Sequence, residues 1–184
     1  MKASSPYACL FLVTLIASGC SYGTKPEAPA LHDLGIVLSP LDDNMPRIPI
    51  DVSAPEWLRD TRIHYRQLHI NPTVVKFYNL DRWIAPPSAL IAKHFATIAT
   101  REHVNLKIRL LDFEQRFESA DRASSVLRFE IAVYRTDLNK TTAAKIFRFE
   151  RANTRANAEG AVQAFAELTE EAVVAVSAWL AHLD

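Results

Sequence analysis

The chain has only four glycines and two cysteines among its 184 residues, and no proline follows Pro87. Each scarcity excludes something. Phosphate-cradling loops are built from clustered glycines, and with so few there is little material for one. Two cysteines do not make a disulfide framework or a thiolate metal site. Lys and Arg total 21 against 21 Asp and Glu, so the overall charge gives no pull toward nucleic acid or an anionic surface. Gly-x-Ser-x-Gly, His-Glu-x-x-His and Cys-x-x-Cys are all missing from the sequence. From Ser88 onward there is one glycine, Gly160, and no proline, which predicts long uninterrupted strands and helices.

What is present begins at the amino terminus. Lys2 is followed by an apolar run from Ala8 to Ala17, broken only by Thr14, and then by the small residues Ser18 and Gly19 before Cys20. That is the order of an export signal, and the run is shorter than the ~20 residues needed to span a bilayer. The cysteine directly after the small residues resembles the lipobox of bacterial lipoproteins. Leucine is commonest where Ala17 stands, although small residues are tolerated there. The resemblance implies cleavage before Cys20, diacylglycerol on its thiol and an acyl chain on its new amine, with no other cofactor. Acyl chains bury at roughly 0.8 kcal/mol per CH₂, so two or more hold a protein on a membrane. Cys9, the other cysteine, lies in the segment to be removed. Residues 1–19 are therefore expected to be a signal peptide and 20–32 a lipidated tether containing "SYGTKPEAPA", with one domain over 33–184. Ser21 replaces the aspartate that commonly retains lipoproteins at the inner membrane. This resemblance implies an outer-membrane anchor facing the periplasm.

Along the body, "HDLGIVLSP" and "RIPIDVSAP" read as short strands closed by proline, followed by strands in "TRIHYRQL" and "TVVKFYNL". Pro86-Pro87 suits the start of a helix in which Leu90, Ile91, Phe95 and Ile98 recur at helical spacing. "VNLKIRLL" alternates on Val104, Leu106, Ile108 and Leu110, then slips phase to Leu111, Phe113 and Phe117, the mark of a bulge. "VLRFEIAVYR" points Leu127, Phe129, Ile131 and Val133 inward, and "KIFRFER" places Phe147 and Phe149 on one face. Asn157 is a candidate helix cap before an apolar stripe running from Ala161 through Phe165, Leu168 and Val176 to Leu183. The order ββββ-α-βββ-α predicts a single α+β domain, a mainly antiparallel sheet with two helices packed on it.

Candidate chemistry is sparse. His64 and His69, five apart on a predicted strand, point to opposite faces and do not share a metal. His94 reads as a boundary histidine. The carboxylates of "DFEQRFESADR", Asp112, Glu114, Glu118 and Asp121, read as a solvated strand end. In "VVKFYNLDRWIAPP", Arg82 and Trp83 are neighbours on a strand, so one is buried while the other faces outward. Trp83, under the double proline, is the expected core member. Arg82 is the expected surface contact, since Arg and Trp are favoured interface anchors.

"APEWLRDTRIHYR", "VVKFYNLDRWIAPPSALI" and the closing "VQAFAELTEEAVVAVSAWL" together resemble the ABC-type transport auxiliary lipoprotein family, which includes the lipoprotein subunit of the paraquat-inducible system. The matching positions are Pro55, Leu58, Tyr65, Tyr78, Arg82, Trp83, Pro86 and Pro87. "WIAPP" stands where relatives more often have an acidic residue. The resemblance implies a non-catalytic, periplasm-facing lipoprotein that supports envelope integrity. Its expected partners are an MCE-domain protein and, through it, an ABC permease and ATPase, with phospholipid as a further contact. Two other classes share parts of the pattern. One is a lipoprotein of a secretion or envelope-assembly complex, and the other is a periplasmic hydrolase with dispersed catalytic residues.

Overall fold

In the computed structural model of the chain, residues 27–37, 49–98 and 103–183 are described. They form one α+β domain with the expected element order: β1 (Ala30–His32), β2 (Ile50–Ser53), β3 (Arg62–Gln67), β4 (Asn71–Trp83), α1 (Pro87–Phe95), β5 (Val104–Phe117), β6 (Ala123–Arg135), β7 (Lys140–Ala152) and α2 (Ala158–Ala181). A short 3-10 turn, Glu56–Leu58, links β2 to β3. The predicted signal peptide, Cys20 and most of the tether lie outside the described residues.

All seven strands join one sheet in the order β1-β4-β3-β5-β6-β7, with β2 also paired to β5. β5, β6 and β7 form an antiparallel meander, and β3 and β4 an antiparallel hairpin. Three pairings are parallel and were not anticipated from the sequence: β1 with β4, β2 with β5 and β3 with β5. β2 takes Leu106–Arg109 of β5 and β3 takes Gln115–Phe117, so the two short strands lie end to end along one edge of the long one.

The phase slip read from the sequence is a one-residue register shift between Leu110 and Asp112. Before it, Leu106, Ile108 and Leu110 face inward opposite Val133, Ile131 and Phe129; after it, Phe113, Gln115 and Phe117 do, opposite Leu127, Ser125 and Ala123. α2 packs over β6 and β7, and α1 over β2 and α2, which closes a two-layer core. Aromatic rings form its centre. Phe113 and Phe165 stack with centroids 4.0 Å apart, Trp83 meets both edge-on or tilted at 5.9 and 5.6 Å, and Phe129 bridges Phe95 and Phe147. Such pairs contribute about 0.5–1.5 kcal/mol each beyond the area they bury.

The strand expected in "HDLGIVLSP" is displaced. Among its described residues only His32 belongs to a strand, and 33–37 leave the sheet. Gly35 sits at φ +90°, and the Asp33 carboxylate accepts a hydrogen bond from its N–H at 2.9 Å, a local turn that ends β1. The first helix is also shorter than its apolar spacing suggested, stopping at Phe95.

Asn157 caps α2 as expected, its side chain accepting from Gly160 N at 2.9 Å. Gly160 meets the chain closely: a Cβ built there would stand 2.1 Å from the carbonyl oxygen of Arg155. Alanine is the better helix former by about 1 kcal/mol, yet here it forces backbone apart. Gly160→Ala should lower the unfolding free energy by roughly 1–3 kcal/mol, the usual cost of overpacking. Asn157→Ala should cost about 1 kcal/mol through the lost cap. Denaturant melts of the two variants read both effects.

Candidate functional site

The eight family-motif positions lie on the 3-10 turn, the β3–β4 hairpin and the corner that leads into α1. Pro55 opens the 3-10 turn, its carbonyl accepting from Leu58 N at 2.9 Å, and Leu58 is fully buried. Trp83 is 1% exposed, beneath the strand-to-helix corner, and its backbone N–H donates to Thr61 O at 2.8 Å. Pro86 flanks α1 with extended ψ, and Pro87 is buried at the first helical position, where a missing N–H costs nothing. Tyr65 and Tyr78 face each other across the β3–β4 hairpin with ring centroids 4.9 Å apart, and Tyr65 also meets Phe117 at 5.5 Å.

Tyr78 leads to a residue that sequence reasoning passed over. Its hydroxyl donates to Gln115 Oε1 at 2.6 Å, and Gln115 Nε2 donates to the carbonyl of Asn157 at 3.1 Å. Gln115 is fully buried, so this chain satisfies both ends of its amide while tying the hairpin to the start of α2. Burial pushes the Tyr78 phenol well above its usual range, with the Tyr65 and Asp81 side chains adding to the shift. The signal was present in the phase slip, which places Gln115 between Phe113 and Phe117 on the inward face.

Arg82 lies opposite Arg62 of β3 and Leu31 of β1. It is half-buried, and its Nε is buried without a hydrogen-bond partner among the described residues. Arg62 stacks its guanidinium over Phe77 at 4.2 Å. The two like charges occupy directly opposed positions, a placement that costs stability when nothing offsets it.

The acidic strand end is not the solvated face expected. Glu114 is 1% exposed and is bridged by Arg66 Nε at 2.7 Å and Arg116 Nε at 2.9 Å; Asp112 receives Arg128 Nε at 2.6 Å. Glu118 and Asp121 stay near the surface, paired with Arg122 and Ser119. Breaking a buried pair by removing one partner costs about 3–5 kcal/mol, so this network locks β3 to β5. Alongside it runs a groove of about 400 Å³ lined by Pro55, Trp57, Arg59, Leu111, Arg109 and Arg128. Its three guanidiniums are already matched by Glu56, Glu130 and Asp112.

The histidines stay apart. His64 is buried on β3, edge-on to Trp57 at 5.5 Å, while His69 lies in the turn after β3 and not on the strand as supposed, its Nδ1 3.3 Å from Phe117 O. His94 is buried on the α2-facing side of α1 beside Glu170. Among the described residues no three His, Cys, Asp or Glu side chains gather as a metal site.

No family model and no curated protein matches the chain. Solved structures do. Protein XCC0632 from Xanthomonas campestris, assigned to the family DUF330, superposes with a TM-score of 0.64 at 13% identity, over 84% of this chain and 87% of that one. An uncharacterized protein superposes at 0.65 with 12% identity, over 84% of this chain and 99% of that one. Lipoprotein GNA1162 from Neisseria meningitidis reaches only 0.31 at 10% identity, over 73% and 94%, too distant to argue from. The likeness establishes the α+β fold, and identities this low carry nothing more.

Burial pulls the imidazoles of His64 and His94 below their ordinary pKa, overcoming the opposing pull of Asp60 on the first and Glu170 on the second. Below about pH 6.5 the unfolded chain therefore binds more protons than the folded one, and folding stability falls as the pH drops. Chemical denaturation between pH 7.5 and 5.5 should show that decline, and His64→Gln with His94→Gln should flatten it. Trp83→Ala should destabilise the domain by ~3–5 kcal/mol. Arg82→Ala should shift melting little, because it removes a buried donor that has no partner; thermal denaturation of the pair checks both.

Proposed function

We propose that the chain is a membrane-anchored lipoprotein acting, without catalysis, as an auxiliary component of an ABC/MCE-type lipid transport system at the outer membrane. The observation that carries this reading is the Ala-Ser-Gly-Cys sequence ending an apolar run, followed by a tether and then a folded body. Among the described residues no helix is long and apolar enough to cross a membrane, so attachment through Cys20 gives the body a place at the bilayer that its helices do not. The transport role is supported by the family resemblance, whose eight positions run from the 3-10 turn through β3 and β4 to the start of α1. Among them Leu58, Trp83 and Pro87 serve packing, and the tyrosine pair joins the hairpin to the helix layer. Arg82, half-buried beside the point where β1 joins β4, is the position assigned to meet a partner's carboxylate through the part of its guanidinium that stays accessible.

Cys20→Ala should leave the protein unprocessed or soluble and abolish metabolic palmitate labelling. A variant that still labels and still partitions into detergent refutes the anchor. Given an anchored protein, Arg82→Ala should weaken co-purification with the MCE-domain partner several-fold while the melt stays near that of the parent. Unchanged co-purification removes Arg82 as the contact.

A further inference from the structure

Six of the thirteen exposed large apolar side chains among the described residues lie in the β3–β4 hairpin: Leu68, Ile70, Val74, Val75, Phe77 and Leu80. They come from both faces of the strand pair, so they form a blade and not a patch of buried core left open. From Asn71 to Leu80 the outer edge of β4 has no strand beside it among the described residues, because β1 covers only Asp81–Trp83. Natural sheets guard such edges with charge. The opposite edge does so, with Lys140, Lys145, Arg148, Glu150 and Arg151 along β7, whereas Asn71–Leu80 carries Lys76 alone.

Direction supplies the occupant. β1 runs parallel to β4, with Ala30 beside Asp81, so the chain preceding Ala30 leaves toward the hairpin tip. Ten residues separate Cys20 from Ala30, and ten separate Asn71 from Asp81. At roughly 3.3 Å per extended residue, each interval spans about 33 Å. A fully extended tether continuing along that line brings Cys20 level with the tip, and a shorter one along the same line leaves the tip projecting beyond the anchor. Between Leu68 and Leu80 there is no acidic residue, and Lys76, whose ammonium meets only the neutral Gln67 side chain, adds positive charge. The β5–β6 turn stands at the same end, tied there by Leu68 N donating to Phe117 O at 2.9 Å. Its Glu118, Asp121 and Arg122 suit the headgroup layer and limit the depth of entry.

Resting on the lipoprotein reading, we propose that the hairpin tip, Leu68–Pro72 with Val74, enters shallowly into the leaflet that holds the acyl chains of Cys20. The two attachments, covalent and apolar, set the body's orientation on the membrane. Amphipathic elements that lie in the interface bind through such apolar area plus attraction to anionic lipid.

The test uses the full acylated protein in vesicles of phosphatidylethanolamine and phosphatidylglycerol. Ile70→Cys carries an environment-sensitive dye, and Leu138→Cys, in the β6–β7 turn at the far end, is the control. The acylated Cys20 thioether does not take the label. The Ile70 dye should shift to the blue and resist aqueous iodide several-fold better than the Leu138 dye. Equal quenching at both sites, with the protein still floating with the vesicles, overturns the insertion and leaves the anchor standing. Shielding of the Ile70 dye in the Cys9→Ala, Cys20→Ala chain without vesicles means that a second copy or this chain itself covers the tip, and it also overturns the insertion. Absence of acyl mass on Cys20 overturns both readings.

Discussion

A single extra residue in β5, Leu111, decides how this molecule is divided into a dry face and a wet one. Side chains alternate along a strand, so a shift of one residue exchanges the faces of everything beyond it. Before Leu111 the even-numbered residues build the core, and after it the odd-numbered ones do. Phe113 is thereby delivered to Trp83 and Phe165, and Gln115 to Tyr78 and Asn157. The same shift turns Asp112, Glu114 and Arg116 outward together, where Arg66 and Arg128 meet them. The shift also falls in the gap between the stretches of β5 taken by β2 and by β3, at the level of the 3-10 turn.

The two layers hold the hairpin by different means. On the inward face the hold is aromatic contact plus the Tyr78–Gln115–Asn157 chain, and on the outward face it is the buried Glu114 carboxylate gripped by two arginines. The outward network reaches as far as Pro72, whose carbonyl accepts from Arg66 Nη1 at 3.1 Å, but over Thr73–Phe77 the side chains of β4 are exposed on both faces and no strand lies along its outer edge among the described residues. The body is therefore rigid where it meets the helices and plain, apolar and unguarded where it faces the direction of its own amino terminus. Arg82 lies at the junction of these two regions, beside the point where β1 joins.

Much of the fold was legible because it obeys simple periods. The alternation in β6 and β7, the slip in β5, the proline-led α1 and the Asn157 cap each follow from local residue choice. Trp83 was placed correctly by its neighbour relation to Arg82 and by the prolines after it. What could not be read was what depends on distant partners. The parallel pairings of β1, β2 and β3 join segments some fifty residues apart, and no local pattern records them. Glu114 was misjudged for the same reason: a carboxylate alternating with Asp112 and Arg116 on one strand face reads as solvated until Arg66, forty-eight positions earlier, folds over it. His69 was assigned to a strand because the β3 pattern gives no sign that the chain turns at Leu68. Gly35 ended β1 early through a positive φ that its apolar neighbours Ile36 and Val37 concealed.

The mixed pairing has a consequence for the order in which the molecule can assemble. β5, β6 and β7 are joined by short turns and close their ladders with contacts near in sequence, the kind that form early and cheaply. β1 must wait for β4, and β2 and β3 for a strand that has not yet been made when they leave the ribosome. Loop closure over such separations is slow because chain entropy is lost before any contact is gained. The amino-terminal half of the body is thus the last to find its place, although it is synthesised first. Until β5 arrives, Ile63, Leu58 and the hairpin strands remain exposed, and a chain of this design needs an escort or an uncrowded compartment during that interval.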